Sequence, residues 1–205
     1  MWPNSPDTQV LLDQVRQGES QAVDQLLARH REPMRRMIDL RMDPAIAPRV
    51  DASDIVQDVL LEASRRLQEY LRAPSMPFHL WLRHIALDHL IDAHRRHRKA
   101  QRRSVDREQP MKSALGDRSS VELIGNLIDR ELTPASAAMR QEMEKRFQEV
   151  LGEMEEEDRE VILMRHFEQL SNQEVAQALS LTEAAASMRY LRAIRRMRAL
   201  LDPGS

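Results

Sequence analysis

The stretch LSNQEVAQALSLTEAAASMRYLRAIRRMRALL, from Leu170 to Leu201, decides the fold of this chain. Ser171 and Glu174 stand three residues apart. At that spacing a serine hydroxyl accepts the backbone N–H of the glutamate while the carboxylate reaches back to the serine N–H, so a short helix is expected to start there. Val175, Ala176 and Leu179 give it an inner face. Ser180-Leu181-Thr182 reads as a tight turn in which Leu181 plugs the gap between helices. A longer helix follows, with Ala186, Tyr190, Ala193 and Met197 facing inward. Two helices joined in this way make a helix-turn-helix, whose second helix enters the major groove by its N-terminal part. The chemistry of that helix agrees. Arg189, Arg192 and Arg196 share a face, with Arg195 and Arg198 beside it. Guanidinium groups pair with phosphates and bond bidentately to guanine, and small residues at 184–187 would let the backbone sit close to the groove. An arginine-rich helix can also be the solvated face of a bundle. It is the coincidence of cap, turn and basic face that points to DNA.

A second basic block, HRRHRKAQRR (His94 to Arg103), has to be explained in a chain whose formal net charge is only -2. Charge is segregated here, with the two basic stretches set against an acidic run at Glu153–Glu160, and segregation says more about partners than the total does. The remaining composition bounds the fold. Aromatic residues make up 3% and there are 5 glycines in 205 residues, which disfavours a β-sandwich or barrel. Leu, Ala, Arg, Glu, Gln and Met favour helix. The expected class is all-α: two small helical domains, 5–103 and 135–201, joined by a linker at 104–134 that is rich in Ser, Pro and Gly. One short helix is expected inside the linker at Val121–Ile128.

In the first domain Val10, Leu11, Val15, Val23, Leu26, Leu27, Met34, Met37 and Ile38 recur at helical spacing, broken at Gly18. Ser20 is expected to cap the second helix, and Pro44 and Pro48 mark a loop. Asp51 or Ser53 caps the next helix, DIVQDVLLEASRRLQEY. Its stripe of Ile55, Val56, Val59, Leu60, Ala63 and Leu67 faces the core. Asp54, Gln57, Asp58, Leu61, Glu62 and Arg65 lie on the other side. Leu61, apolar on that outer face, is either a partner contact or a solitary exposed leucine. After the Ala73–Pro77 turn, a helix carrying Phe78, Trp81, Leu82, Ile85 and His89 on or near its apolar side runs without a breaker into the basic block.

Several function classes are excluded or disfavoured. The absence of cysteine removes disulfides, zinc ribbons and thiol chemistry. His79, His84, His89 and His94 recur every fifth residue, which turns each about 140° from the last on a helix, so they do not converge on one ion. His94 and His97 sit in an arginine run that repels cations. No nucleophile motif, phosphate loop or HExxH occurs, so neither an enzyme nor a cofactor or metal is expected. No apolar run approaches the roughly 20 residues of a membrane helix. The N-terminus, MWPNSPDTQV, lacks the basic and apolar parts of a signal peptide, so a cytoplasmic protein without membrane insertion is expected. Acids of the EMEEEDRE run are expected as a solvated first turn favouring a helix N-terminus, and Met188, Met197 and the other methionines as core filler.

Taken together the motifs resemble the sigma-70 family of bacterial RNA polymerase sigma factors, in its small extracytoplasmic-function (ECF) group. DIVQDVLLEA resembles the region 2 helix that docks on the β′ clamp helices of polymerase, which implies a core-binding role for Asp54, Gln57, Asp58, Leu61, Glu62 and Arg65. FHLWLRHIALDHLIDAHRRHRK is similar to the promoter −10 segment, through Trp81-Leu82, Ile85-Ala86, Asp92 and Arg95-Arg96. The resemblance implies −10 contacts by Trp81, Arg83, His84, Asp88, Arg95, Arg96, Arg98 and Lys99, with phosphates gripped by the basic extension and an unpaired base held by the loop at 71–78. The C-terminal motif resembles region 4, which implies −35 contacts by Thr182, Ala185, Ser187, Met188, Arg189, Leu191, Arg192 and Arg196. The partners implied are core RNA polymerase, through its β′ clamp helices and β flap, promoter DNA, and an anti-sigma factor of the kind that small members commonly have. Three departures stand out: Ser187 where many relatives carry Lys or Arg, Asp88 where Asn is common, and Ser180 where Gly is frequent. A serine at that turn is tolerable provided the backbone is not left-handed. Two other readings remain open at this point, a stand-alone helix-turn-helix regulator and an interaction module that binds polymerase or an anti-sigma factor without reading DNA.

Overall fold

The computed structural model describes residue 2 and residues 6–43, 49–101 and 137–201. Helices are the regular elements among these residues, and the chain divides into two compact units, Met1–Ser113 and Ala114–Ser205. The division falls inside the segment read as a linker. That segment and its expected helix at Val121–Ile128 lie outside the described residues. Among the described residues no helix is long and apolar enough to cross a membrane.

The first unit contains α1 (Pro6–Arg16), α2 (Ser20–Asp39), α3 (Ala52–Arg72) and α4 (Phe78–Gln101). Gly18 ends the first helix with a positive φ of 88°, a conformation that glycine adopts at no steric cost. The cap of α2 falls on Glu19 rather than Ser20. Glu19 holds the extended backbone that a cap needs, its side chain makes no cap bond, and Ser20 is already helical. The α2 helix continues through Pro33, which forgoes one rung of the ladder because proline has no N–H. Asp51 caps α3 as expected, accepting the Ser53 N–H at 2.8 Å, and this bond holds its carboxyl below the usual carboxylate range.

The core of this unit forms where α2, α3 and α4 pack on one another. Leu26, Met34 and Ile38 from α2, Val59 and Ala63 from α3, and Leu80, Leu82 and Ala86 from α4 are all fully buried. Each large side chain of this kind stabilises the fold by roughly 1.5–3 kcal/mol. Because α4 is covered by two helices, it buries more of its circumference than one amphipathic stripe would. His79, Arg83 and His97 are inside as well. The indole of Trp2 closes the far side of this core, 6.3 Å from the His30 ring and 6.2 Å from that of His79.

The second unit contains α5 (Ala137–Glu153), α6 (Glu156–Ile162), a single π turn at Leu163–Phe167, α7 (Asn172–Ala178) and α8 (Glu183–Leu201). The α8 helix packs against α5, α6 and α7. Phe147, Val150, Val161, Ile162, Met164, Ala186, Ala193 and Met197 are fully buried at the centre. Phe147 and Phe167 stack with centroids 5.6 Å apart. An Arg146 guanidinium donates to the Leu200 carbonyl at 2.9 Å, satisfying one of the free carbonyls at the end of α8.

Candidate nucleic-acid interface

The helix-turn-helix is built by three caps. Ser171 Oγ accepts the Glu174 N–H at 3.2 Å, and Glu174 Oε2 accepts the Ser171 N–H at 2.7 Å, the reciprocal box expected from the sequence. At the other end of α7, Ser180 N–H bonds the Gln177 carbonyl and Leu181 N–H the Ala176 carbonyl, at 3.3 and 2.8 Å. This is a Schellman closure, which places Ser180 in the left-handed region, at φ 54°. The backbone is thus left-handed where the sequence carries serine, and the turn bears the strain that glycine would have avoided. Thr182 then caps α8, its hydroxyl oxygen accepting the Ala185 N–H at 3.2 Å. An Asn172 amide donates to the Glu183 carbonyl at 3.0 Å and ties the start of α7 to the start of α8.

The inner face of α8 is the expected one. Ala186, Ala193 and Met197 are fully buried. Tyr190 is half-buried, with its hydroxyl 2.8 Å from His166 Nε2 and the Arg165 guanidinium 5.6 Å over its ring. The π turn brings Arg165 and His166 to that position, since its extra residue turns them toward α8. Burial, and after it the Arg165 charge, holds His166 below the ordinary histidine range.

On the outer side the arginines separate into two groups. Arg189 pairs with Glu157 at 3.1 Å, and Arg196 pairs with Glu155 at 2.9 Å and Asp158 at 3.2 Å. The acidic run is therefore more than a solvated first turn: its carboxylates cross to α8 and engage two of the arginines assigned to DNA. The signal for this was opposite charge, with Glu155, Glu157 and Asp158 clustered at the start of one helix and Arg189 and Arg196 seven residues apart on one face of the other. Arg192 and Arg195 are exposed, with no ion pair among the described residues. Ala185, Ser187, Met188 and Leu191 are also exposed. Met188, expected as core filler, is 55% exposed and Leu191 45%. Met197 is the buried one.

In the first unit a cleft of about 440 Å³ opens between the C-terminal half of α3 and the start of α4. Tyr70, Met76 and Trp81 form its apolar wall, with Arg66, His84 and Asp88 among its polar lining. In a chain with 3% aromatic residues, three of them meet here. Tyr70 lies 4.8 Å from Trp81 and 5.5 Å from Phe78. Tyr70 also fixes the loop, donating its O–H to the Met76 carbonyl at 3.0 Å, and burial raises its phenol above the usual range. Trp81, His84 and Asp88, expected on the −10 surface, therefore share one cleft. Sequence reasoning missed Arg66 and Tyr70, although their i, i+4 spacing puts both on one face of α3.

Arg83 is a correction. It is 1% exposed, because α4 is sandwiched against α2 and α3 and this side of the helix is covered. In the described conformation Arg83 lies in the core and not on the surface where a −10 contact was expected. Further along α4, His94 and His97 turn inward. His94 Nε2 accepts the Asp43 N–H at 3.5 Å and His97 is buried. Arg95 and Arg96 are exposed, with Arg95 3.8 Å from Asp92. The basic block is therefore amphipathic as far as it is described. Arg98 and Lys99 are helical, but their side chains lie outside the described residues. On α3, Asp54, Gln57, Asp58, Leu61 and Arg65 are exposed and Glu62 is partly so, within 4.0 Å of Arg66. Leu61 is 52% exposed among these polar residues.

A helix-turn-helix with a basic outer face thus lies in one unit, and an aromatic cleft beside a basic helix lies in the other. The chain belongs to the ECF sigma factor family, whose model matches residues 6–201. It is 31% identical to the RNA polymerase sigma factor CnrH of Cupriavidus metallidurans, over all of this chain and 99% of that one. The solved structure of CnrH in complex with the cytosolic domain of CnrY is similar at a TM-score of 0.59 and 25% identity, covering 96% and 97% of the two chains. The sigma factor RpoE of Bartonella quintana, solved with the anti-sigma factor NepR, shares the fold at a TM-score of 0.58 and 16% identity, over 89% of this chain and 98% of that one. The protein is a sigma factor: it binds core RNA polymerase and directs promoter-specific initiation by recognising −10 and −35 elements. A stand-alone regulator would need only the helix-turn-helix, whereas the family match runs through both units.

Proposed function

We propose a division of labour between the two parts of the chain, residues 5–103 for the −10 element and core polymerase and residues 135–201 for the −35 element, joined by 104–134. The observation that carries it is the α7–α8 helix-turn-helix with its three caps and exposed cationic side. In the second part Ala185, Ser187, Met188, Leu191 and Arg192 meet the groove. Thr182, its oxygen engaged as a cap, keeps its O–H proton to donate to a phosphate. Arg189 and Arg196 reach DNA only by exchanging their carboxylate partners for phosphate. In the first part the Trp81–Tyr70 cleft takes an unstacked base, for which an aromatic wall is worth about 1–3 kcal/mol. His84 and Asp88 offer hydrogen bonds to its edge. Arg95, Arg96, Arg98 and Lys99 grip the flanking phosphates, a salt-sensitive contact that does not depend on sequence. The outer face of α3, with Leu61 at its centre among Asp54, Gln57, Asp58, Glu62 and Arg65, docks on the β′ clamp helices, and the second part meets the β flap. An anti-sigma factor is the regulator we assign, because both similar structures were solved as complexes, CnrH with the cytosolic domain of CnrY and RpoE with the anti-sigma factor NepR.

Run-off transcription tests the whole. The purified chain is added to sigma-free core polymerase with a library of genomic promoter fragments. Discrete transcripts that share two upstream elements are the expected result. Polymerase binding without transcripts would instead mark a decoy or an inhibited factor, and sequence-specific shifts of free DNA without polymerase binding would mark a stand-alone regulator.

A further inference from the structure

The outermost line of α8 is apolar where the helix should enter the groove. Ala186, Ala193 and Met197 fix the inward direction because all three are fully buried. At 3.6 residues per turn the opposite line runs through Ala184, Met188, Leu191, Arg195 and Arg198, and all five are exposed. Arg189 and Arg196 project sideways, toward the carboxylates of Glu157, Glu155 and Asp158. Arg192 stands on the same side but further out, about 120° from the inward direction. The apex of the N-terminal half therefore carries Met188 and Leu191, with a one-carbon side chain at Ala184 before them that leaves room for close approach. Two large apolar side chains half in water do nothing for this unit's own core, which is complete without them.

We infer that Met188 and Leu191 are specificity residues that read thymine 5-methyl groups in the −35 major groove. The methyl group of thymine is the apolar feature that base edges present in that groove, and a thioether or isobutyl side chain cannot take the donor and acceptor sites of guanine, adenine or cytosine. The charge around the patch selects nucleic acid over an apolar protein surface. Arg192, Arg195 and Arg198 surround it from the middle of the helix onward and would bear on phosphates while the apolar apex bears on bases. Ser187, where many relatives carry a cation, sits beside this line and leaves the apex without charge. The inference rests on the assignment of α8 to the −35 element and adds what that element must contain, at least one thymine step under the N-terminal half of α8.

The test uses the full chain assembled with core polymerase. A promoter is first selected from a library randomised around the −35 position. Each thymine of the selected element is then replaced singly by deoxyuridine, which removes the methyl group and leaves the hydrogen-bonding edge intact. At one or two positions the wild-type holoenzyme is expected to lose about threefold to fivefold in binding, the amount that one buried methyl group corresponds to. Met188→Ala and Leu191→Ala are expected to bind the thymine promoter more weakly and to show no further loss with deoxyuridine. If the selection returns an element without thymine, or if deoxyuridine has no effect at any position, the inference is overturned while α8 keeps its −35 role. A selection that enriches nothing would overturn that role itself, and the inference with it. If the alanine variants lose polymerase binding and keep full deoxyuridine sensitivity, the patch faces protein and the inference is likewise overturned.

Discussion

At the scale of single residues, the turn of the helix-turn-helix shows a local cost the protein carries. Ser180 holds φ 54° at the end of α7, where a side chain crowds the backbone and glycine does not. Ser180→Gly is expected to raise stability by about 0.5–1 kcal/mol, the relief of strain exceeding the added freedom of the unfolded chain. Thermal melting of the two proteins checks this, and a lower melting temperature for the glycine variant would show that the strain is absent. The serine could be read as a departure in the sequence, but its φ could not, because the angle is set by the carbonyls that Ser180 and Leu181 must cap. Arg192, unlike Arg189 and Arg196, has no ion pair among the described residues. Arg192→Ala is expected to weaken −35 binding by about 1–3 kcal/mol and to relax the preference at one base pair. A smaller loss, equal for all sequences, would make Arg192 a phosphate contact instead.

At the scale of elements, the helices and their inner faces were legible because a 3.6-residue period and its caps are local properties. What the sequence concealed came from contacts between elements. Arg83 reads as a basic residue on an amphipathic helix until α2 and α3 close over it. Arg189 and Arg196 read as unpaired cations until α6 brings its carboxylates across. Among the described residues no other element brings such a competitor to the outer face of α3, so Asp54→Lys and Asp58→Lys together are expected to weaken polymerase binding without changing helix content. A pull-down with unchanged affinity would remove that face from the docking surface. The π turn supplies another element-scale consequence. His166 is held below its ordinary range, by burial and then by Arg165, beside Tyr190 of α8. A group lowered on folding stabilises the fold fully above its unfolded pKa. That contribution is lost as pH falls below about 6.5 toward the lowered folded value, because the unfolded chain takes up the proton first. Acid unfolding is therefore expected to become less steep in this window for His166→Phe, and denaturant midpoints measured across the window would show it. Identical slopes for the two proteins would exclude His166 as the cause.

At the scale of the whole molecule, net charge misled less than it first appeared to. A formal -2 hides one basic helix that leaves Arg95 and Arg96 exposed and another whose positive charge is partly met from within its own unit. The sequence conveyed the first fact directly, through the unbroken pattern from Phe78 onward. The second needed the packing of α6 on α8, which no local pattern encodes.

That packing has a thermodynamic consequence for how the holoenzyme responds to ionic strength. A cation that docks on duplex DNA expels condensed counterions, and each phosphate neutralised steepens the fall of log K with log salt by about 0.9. Arg189 and Arg196 arrive with tethered carboxylates, so the phosphate they gain is offset by an anion that stays attached. They should add little to that slope. Glu155→Gln, Glu157→Gln and Asp158→Asn together are expected to steepen it by up to about 2 and to tighten binding to random-sequence DNA more than binding to the promoter. Titration of both DNAs against salt would show this, and parallel lines for the two proteins would exclude it. The acidic run would then be a discriminator, holding back the arginines' attraction for any phosphate backbone and so leaving more of the choice of site to contacts that depend on sequence.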